Sequence, residues 1–401
     1  MKALKISALA AVALIMNDSA YAQVTSKNQL SGQQNVITTS VPFLTITPDA
    51  RHAGMGDAGT ATSPDAYSLH FNAAKLAFIE RKGGMSISYT PWLRQLVPDV
   101  SLSYLTGYGR IDDKSAFSGS LRYFSLGNIA FTDDFGASLG NFNPYEFAID
   151  GAYARKLSEN FSVGVALRFI YSNLAGNLPI PGGSTTKPGV SGAGDVSAYY
   201  TKDTKVAGKK AVYSFGGIIS NLGAKVTYTT SVNRDFIPAM LRLGGYYKMD
   251  IDQYNTIAIT ADINKLLVPT QPIYYVNAQG DDSIANGKRV IQYGKDPNVG
   301  VIAGAFQSFG DAPGGFKEEM KEINVMGGLE YWYDKQFAAR MGYFREPSTK
   351  GNRQYLTFGA GLRYNVFGLD FAYLVPIQQR HPLENTLRFS LHFDFDAFKK
   401  Q

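Results

Sequence analysis

Two glycine-spaced motifs are the first residues in this chain that suggest chemistry. Gly54-Met55-Gly56-Asp57-Ala58-Gly59 matches G-x-G-x-x-G, which cradles a dinucleotide pyrophosphate when a strand enters it and a helix leaves it. No βαβ pattern surrounds it, so these glycines are expected to serve close backbone packing. Gly136-Ala137-Ser138-Leu139-Gly140 matches G-x-S-x-G, the elbow that presents a nucleophilic serine, but it falls in a loop with no flanking strand, turn and helix. The chain has no cysteine and four histidines, His52, His70, His381 and His392. That excludes disulfides and thiolate metal sites and leaves few acid–base candidates. A barrel that deacylates lipid would need an outward Ser/His pair near the membrane interface. The alternation puts His392 inward beside Asp394, which leaves His381 in the last outer loop as the remaining base. We therefore expect no catalytic residue, no cofactor and no metal site.

A second group of residues is charged. Arg122, Arg168, Arg242, Arg340, Arg363 and Arg388 sit on strand-like segments together with Asp150, Asp262, Glu330, Asp370 and Asp394. A charge facing lipid at mid-bilayer costs about 2–4 kcal/mol, so all of them are expected to face inward. They would form either a selectivity ring or an ion-paired network that anchors a plug, and the second reading is preferred. The loop Pro91-Trp92-Leu93-Arg94-Gln95-Leu96-Val97-Pro98 offers Trp92, Leu93, Leu96 and Val97 as a partner-contact surface, with an interfacial aromatic belt as the alternative use of the tryptophan.

The elements that must position these residues are strands. The 401 residues are 45% apolar, 13% aromatic and only 18% charged, with 41 glycines and a formal charge of +6. This composition argues against disorder and a coiled coil, and without Lys/Arg blocks nucleic acid is a poor partner. Residues 1–22 read as a signal peptide: Lys2 and Lys5, an apolar run, then Ala20-Tyr21-Ala22. No later apolar run is long enough for a transmembrane helix. Instead large apolar residues alternate with small or singly charged ones, as in Phe161-Ser162-Val163-Gly164-Val165-Ala166-Leu167-Arg168-Phe169. A soluble sandwich would carry dense Lys and Glu on its polar face, whereas low charge on both faces suits a barrel with lipid outside.

Such segments fall at 85–91, 99–107, 115–126, 145–155, 161–172, 211–220, 239–249, 255–266, 299–309, 323–333, 337–345, 354–364, 367–375 and 386–395. They predict an all-β, transmembrane antiparallel barrel of about 14 strands over 83–401, with 23–82 as a plug or periplasmic segment that lies partly inside the lumen. Short turns at Leu157–Asn160, Asp334-Lys335 and Asn365-Val366 mark the periplasmic rim, which places both termini in the periplasm. The expected outer loops include a flexible, Gly/Ser-rich excursion over 173–210 and a short turn near Asp250–Gln253. One connection, 267–298, is long yet falls on the periplasmic side.

Asp49-Ala50-Arg51-His52-Ala53-Gly54-Met55-Gly56-Asp57-Ala58-Gly59, then Ser63-Pro64-Asp65-Ala66 and Asn72-Ala73-Ala74-Lys75-Leu76-Ala77, resemble the N-terminal signature of the FadL-like outer-membrane barrels. Many of those barrels have Asn-Pro-Ala where this chain has Asn72-Ala73-Ala74. Val41-Pro42-Phe43-Leu44-Thr45-Ile46 and Asp262-Ile263-Asn264-Lys265-Leu266-Leu267-Val268-Pro269-Thr270 narrow the resemblance to the PorV-like (LptO-like) branch of the Bacteroidota type IX secretion system. Gly54, Met55, Gly56 and Asn72 carry the plug signature. The resemblance implies a non-enzymatic outer-membrane barrel that binds a giant SprA/Sov-like translocon barrel. It also implies receipt of cargo bearing a C-terminal signal domain and delivery to an attachment complex with a PorU-like sortase. Two alternatives are a FadL-like transporter of hydrophobic compounds, with an apolar pocket between plug and wall, and an outer-membrane lipid deacylase.

Overall fold

The computed structural model describes residues 34–395 apart from 95, 96, 98, 133, 134, 137, 177, 181–183, 230–233, 278–280, 379 and 380. The signal segment, Leu96 and the last residues after Phe395 lie outside the described residues. Fourteen strands close into one barrel. They are β1 (Gly83–Pro91), β2 (Ser101–Arg110), β3 (Ser115–Ser125), β4 (Tyr145–Lys156), β5 (Phe161–Asn173), β6 (Gly189–Val206) and β7 (Lys209–Gly223). β8 (Met240–Asp250), β9 (Asn255–Leu266), β10 (Ile323–Tyr333), β11 (Phe337–Arg345), β12 (Gln354–Tyr364), β13 (Phe367–Pro376) and β14 (Thr386–Asp394) complete it. Each strand pairs antiparallel with its neighbour, and β1 pairs with β14, with Ile87 opposite Leu391. Closure is the physical solution for a sheet in hydrocarbon, because every backbone N–H and C=O then has a strand partner.

The period-two pattern sorts the two faces. In β5, Ser162, Gly164, Ala166, Arg168 and Ile170 are buried inward while Val165, Leu167 and Phe169 are exposed outward. The same division gives the barrel an apolar outer band and an inner face of small and charged residues.

The expected strand number is right, but one strand was missed and one expected segment is not a strand. β6 runs through the stretch read as a flexible excursion, and 299–309 contains a helix rather than a strand. β6 was hidden because its outward face includes Gly192 and Gly194, so the large apolar half of the alternation is diluted, and a bulge at Gly194/Val196 breaks its register with β7. In 299–309 the apolar residues fit both periods, and the chain takes the helix α3 (Val301–Gln307). The corrected order moves the Asp250 turn among the tight turns and places the whole of 267–322 on the side of the long loops. The anomalous long connection disappears: six short turns mark one rim and seven longer loops the other.

Residues 34–82 thread the lumen from the long-loop rim to the tight-turn rim. Near the start, the Asn35 and Ser40 amides donate to the carbonyls of Thr349 and Phe236 in two long loops, both at 2.9 Å. Near the end, the Arg110 amide donates to Lys82 O at 2.8 Å and Arg81 pairs with Asp394 at 3.3 Å. The described chain therefore begins at the rim opposite Asp394. In between lie the helices α1 (Ala50–Ala53) and α2 (Ser68–Phe71) and a 3-10 helix, Ala73–Phe78. Asp49 caps α1 by accepting the His52 amide at 2.9 Å, and Asn72 caps the 3-10 helix by accepting the Ala74 amide at 3.0 Å. The apolar core lies between this plug and the wall. Phe43 and Leu44 pack with Leu102, Phe124 and Ile170 near the long-loop side, and Leu69 and Leu76 with Ala116 and Ala154 nearer the tight turns.

Small inward residues let the plug reach the wall. A Cβ at Gly342 would overlap the Gly56 nitrogen and the Met55 carbonyl carbon, and Gly56 itself has φ +68. Gly342→Val is expected to destabilise the folded barrel by about 1–3 kcal/mol or more, since overpacking here meets backbone rather than a movable side chain. Gly151→Val, at an outward position with open space around it, is the neutral control. The temperature at which the folded barrel converts to the unfolded band on a cold gel measures both.

Candidate functional site

The inward charges converge on the plug. From α1, Arg51 makes a two-pronged contact with Glu330 of β10, 3.0 Å in each arm, and pairs with Asp65 of the plug at 2.8 Å. Glu330 also accepts Arg340 Nε of β11 at 2.8 Å, and Arg340 reaches Asp370 of β13 at 2.8 Å. Asp370 takes a further bidentate contact from Arg363, at 3.1 and 2.7 Å, and meets His392 Nε2. Six ionised groups thus form one chain in which each burial is compensated, and Arg51 ties it to the plug.

Three further contacts clasp the plug. Arg122 donates to Leu44 O at 2.8 Å and meets His70 Nδ1 at 2.6 Å. Arg388 pairs with Asp57 at 3.0 Å, and the Tyr355 hydroxyl donates to the same carboxylate at 2.6 Å. Asp262 accepts the amides of Gly59 and Thr60, both at 2.8 Å. Arg242 lies over the Phe71 ring, 5.9 Å from its centroid. Arg168 differs: its partners, Asp150, Asp195 and Asn221, all belong to the wall. Of the residues singled out from sequence, Arg122, Arg242, Glu330, Arg340, Arg363, Asp370 and Arg388 join the wall-to-plug assembly, while Arg168 braces β4, β6 and β7.

Sequence reading missed the plug's own polar framework. Lys75 is fully buried and donates to Gly59 O at 2.7 Å and Thr62 Oγ1 at 2.9 Å. Asn72 Nδ2 donates to Thr60 O at 3.1 Å and to Ala198 O of β6 at 2.9 Å. The spacing Asp49-x-x-His52, with the acid one residue before α1, was the available signal for a capped helix start.

Trp92 and Leu93 are half-buried. They fold inward and pack beside Phe344, Tyr355, Leu374 and Leu383, and Arg388 lies over the Trp92 ring at 5.7 Å. The indole is half-buried there, and among the described residues of that group Val97 is the exposed one. The nucleophile-elbow letters also dissolve: Ser138–Phe142 is one strand of a small hairpin with Ile129–Thr132.

A Ser–His–Asp set does occur, at Ser86, His392 and Asp370. Ser86 Oγ is 2.8 Å from His392 Nδ1. These residues are directly opposed on β1 and β14, and Asp370 is already occupied by two arginines. The backbone donors around Ser86 belong to the strand ladder, so nothing is arranged to stabilise an oxyanion. The set reads as cross-strand polar packing at the edge of a cavity of about 670 Å³ that opens at the tight-turn rim. Arg51, Asp65, Glu330, Arg363 and His392 line that cavity, which makes it a charged vestibule.

The long-loop rim has its own ionic cluster. Lys265 pairs with Glu319 at 3.2 Å and with Glu322, and Lys350 pairs with Glu318 at 2.6 Å and Glu322 at 2.9 Å. Asn35 Nδ2 donates to Glu318 at 3.1 Å, so the cluster joins two loops to the entering chain. Despite its burial, Glu322 is held below the usual carboxylate range by Lys265 and Lys350. Asp311, whose Oδ2 accepts the Thr270 amide at 3.2 Å, is pushed up to about 6 by burial and by neighbouring Glu319.

Two outcomes follow. Glu330→Gln leaves Arg51 and Arg340 with one carboxylate each and is expected to cost about 3 kcal/mol, the lower end for a broken buried pair, measured by the same gel conversion. For Asp311 the folded pKa lies above the unfolded one, so its contribution is favourable at low pH and is lost as pH rises through about 6. Asp311→Asn is expected to slow proteolysis within 267–322 at pH above about 7 and to change little at pH below about 5, where the carboxyl is already protonated.

Comparison with known proteins follows from this geometry. A search of curated proteins finds no match. Among solved structures, the toluene transporter TodX of Pseudomonas putida is similar at 10% identity and a TM-score of 0.47, covering 90% of this chain and 99% of its own. The toluene transporter TbuX of Ralstonia pickettii gives 11% and 0.42, covering 86% and 96%. A FadL homologue of Pseudomonas aeruginosa gives 12% and 0.40, covering 90% and 100%. The family described as type IX secretion system protein PorV matches residues 29–273, more than half of the sequence and including the plug signature and the first nine strands. This chain therefore belongs to the PorV family of outer-membrane type IX secretion proteins.

Proposed function

We propose that this barrel works at its rims, as a non-enzymatic partner of the type IX translocon. It binds a giant SprA/Sov-like barrel, receives cargo through a C-terminal signal domain, and passes that cargo to an attachment complex with a PorU-like sortase. Membership of the PorV family carries the reading. The filled lumen supports it. The plug is fixed to the wall by buried ion pairs on several sides, so releasing it would strand several charges at once. Binding energy for a protein partner then comes from the loops and the outer surface rather than from the lumen. The hairpin that pairs Ile129–Thr132 with Ser138–Phe142 ends in Phe135, which is 96% exposed, a side chain suited to a protein contact. The orientation that fits is the usual one, with long loops outside the cell and tight turns in the periplasm.

Transport of hydrophobic compounds calls for an apolar pocket between plug and wall. The described vestibule instead mixes charged side chains such as Arg51, Asp65 and Glu330 with apolar ones such as Phe78 and Ile79.

Affinity capture of the tagged protein from its native outer membrane in mild detergent, with mass spectrometry of what is retained, tests the proposal. The expected result is one very large barrel together with secreted proteins that share a C-terminal domain. A barrel recovered alone, carrying only a fatty acid or another small hydrophobic compound, would overturn it in favour of transport.

A further inference from the structure

The loop between β9 and β10 does not stand up from the rim. Ala305 of α3 packs with Ala239, Leu222, Leu241 and Leu267, so the helix rests against the top of the wall. Its other face carries Ile302, Phe306 and Phe309 at i, i+4 and i+7, all exposed, with Phe306 at 76%. The helix α4 (Phe316–Glu319) follows, with Phe316 at 78% exposure and Met320 exposed just after it. The polar side of the same loop is turned away into the cluster of Glu318, Glu319 and Glu322 with Lys265 and Lys350.

Beneath this loop lies a groove of about 200 Å³. One side is Leu241, Leu243 and Ile263, outward residues of the lipid-facing band, and the other is Phe309, Phe316 and Met320. Leu243 is three residues along β8 from the rim, about 10 Å of strand at about 3.3 Å per residue. With strands tilted by about 35–45°, that places the groove about 7–8 Å below the rim, the depth at which an in-plane amphipathic segment sits.

We propose that residues 301–320 of this loop are immersed in the membrane leaflet on the long-loop side and that the groove holds an acyl chain of a lipid of that leaflet. Continuity with the outer band selects this occupant: the groove opens along a wall that already faces hydrocarbon, and although Asn264, Lys265 and Glu319 border it, its exposed surface is almost wholly apolar. The loop then acts as an outrigger that fixes the long-loop rim relative to the bilayer. This inference stands independently of the secretion reading.

Two measurements test it, on the full protein alone in phosphatidylethanolamine/phosphatidylglycerol vesicles. In the first, the fluorescence of Phe316→Trp is quenched by lipids brominated along the acyl chain, with the wild-type signal of Trp92 and Trp332 subtracted. The expected quenching is at least about twofold that of Phe135→Trp, at a depth of about 5–10 Å. Equal quenching of the two variants would overturn the immersion and assign the surface to a protein partner. In the second, native mass spectrometry of protein released from detergent counts retained phospholipid. Wild type is expected to keep a phospholipid that Ile263→Trp, which fills the groove while preserving an apolar outer face, loses. Equal retention by both would overturn the assignment of the groove. Cold-gel mobility confirms that each variant is folded.

Discussion

Hydrocarbon offers no partner to a peptide N–H or C=O, and a sheet placed in it must therefore pair every edge. Here β1 closes on β14, and much else follows from that closure. Once fourteen strands form a ring, the ring encloses more volume than inward side chains can fill. The chain solves this with its own N-terminal segment. Because the wall's outward face must be apolar, the charges that strands carry are forced inward, where they meet that segment.

The consequence is a lumen whose stability rests on paired burial rather than on apolar contact alone. Arg51 joins α1 to Glu330, Arg340 and Asp370 in succession, while Arg122, Arg388 and Asp262 fasten other points of the plug. A plug held in this way is not readily displaced, because its removal would leave several uncompensated charges in a poorly hydrated space. Small residues such as Gly342 make the arrangement possible by letting backbone meet backbone. The same rigidity leaves the loops and the outer wall as the free surface of the barrel.

The two rims divide that surface. The tight-turn rim presents a charged vestibule closed by the plug. The long-loop rim carries the ionic cluster around Lys265, Lys350 and Glu322, together with the apolar underside of α3 and α4. One loop thus pairs its charges toward the barrel mouth and turns its aromatic residues toward the wall, the arrangement expected where water and lipid meet.

Period-two alternation was enough to read an all-β barrel of fourteen strands with inward arginines, because side-chain direction in a strand is a local property of the backbone. Thirteen of the fourteen segments, from 85–91 to 386–395, overlap strands of the barrel. The alternation failed where the outward face was diluted by Gly192 and Gly194, and where the spacing of Ile302, Phe306 and Phe309 satisfied helix and strand alike. The site was legible as a set of inward charges, but not as a network: which acid meets which base depends on strand register and on the path of residues 34–82. Arg168 could not be assigned to the wall while β6, which carries Asp195, was unread. Trp92 was legible as an apolar loop residue, while its packing beside Phe344 and under Arg388 was visible only in the tertiary structure. The sequence by itself determined the faces of each strand and hence the barrel. Partners were decided by tertiary structure, because ion pairs and close backbone contacts join residues tens to hundreds of positions apart, which no local pattern encodes.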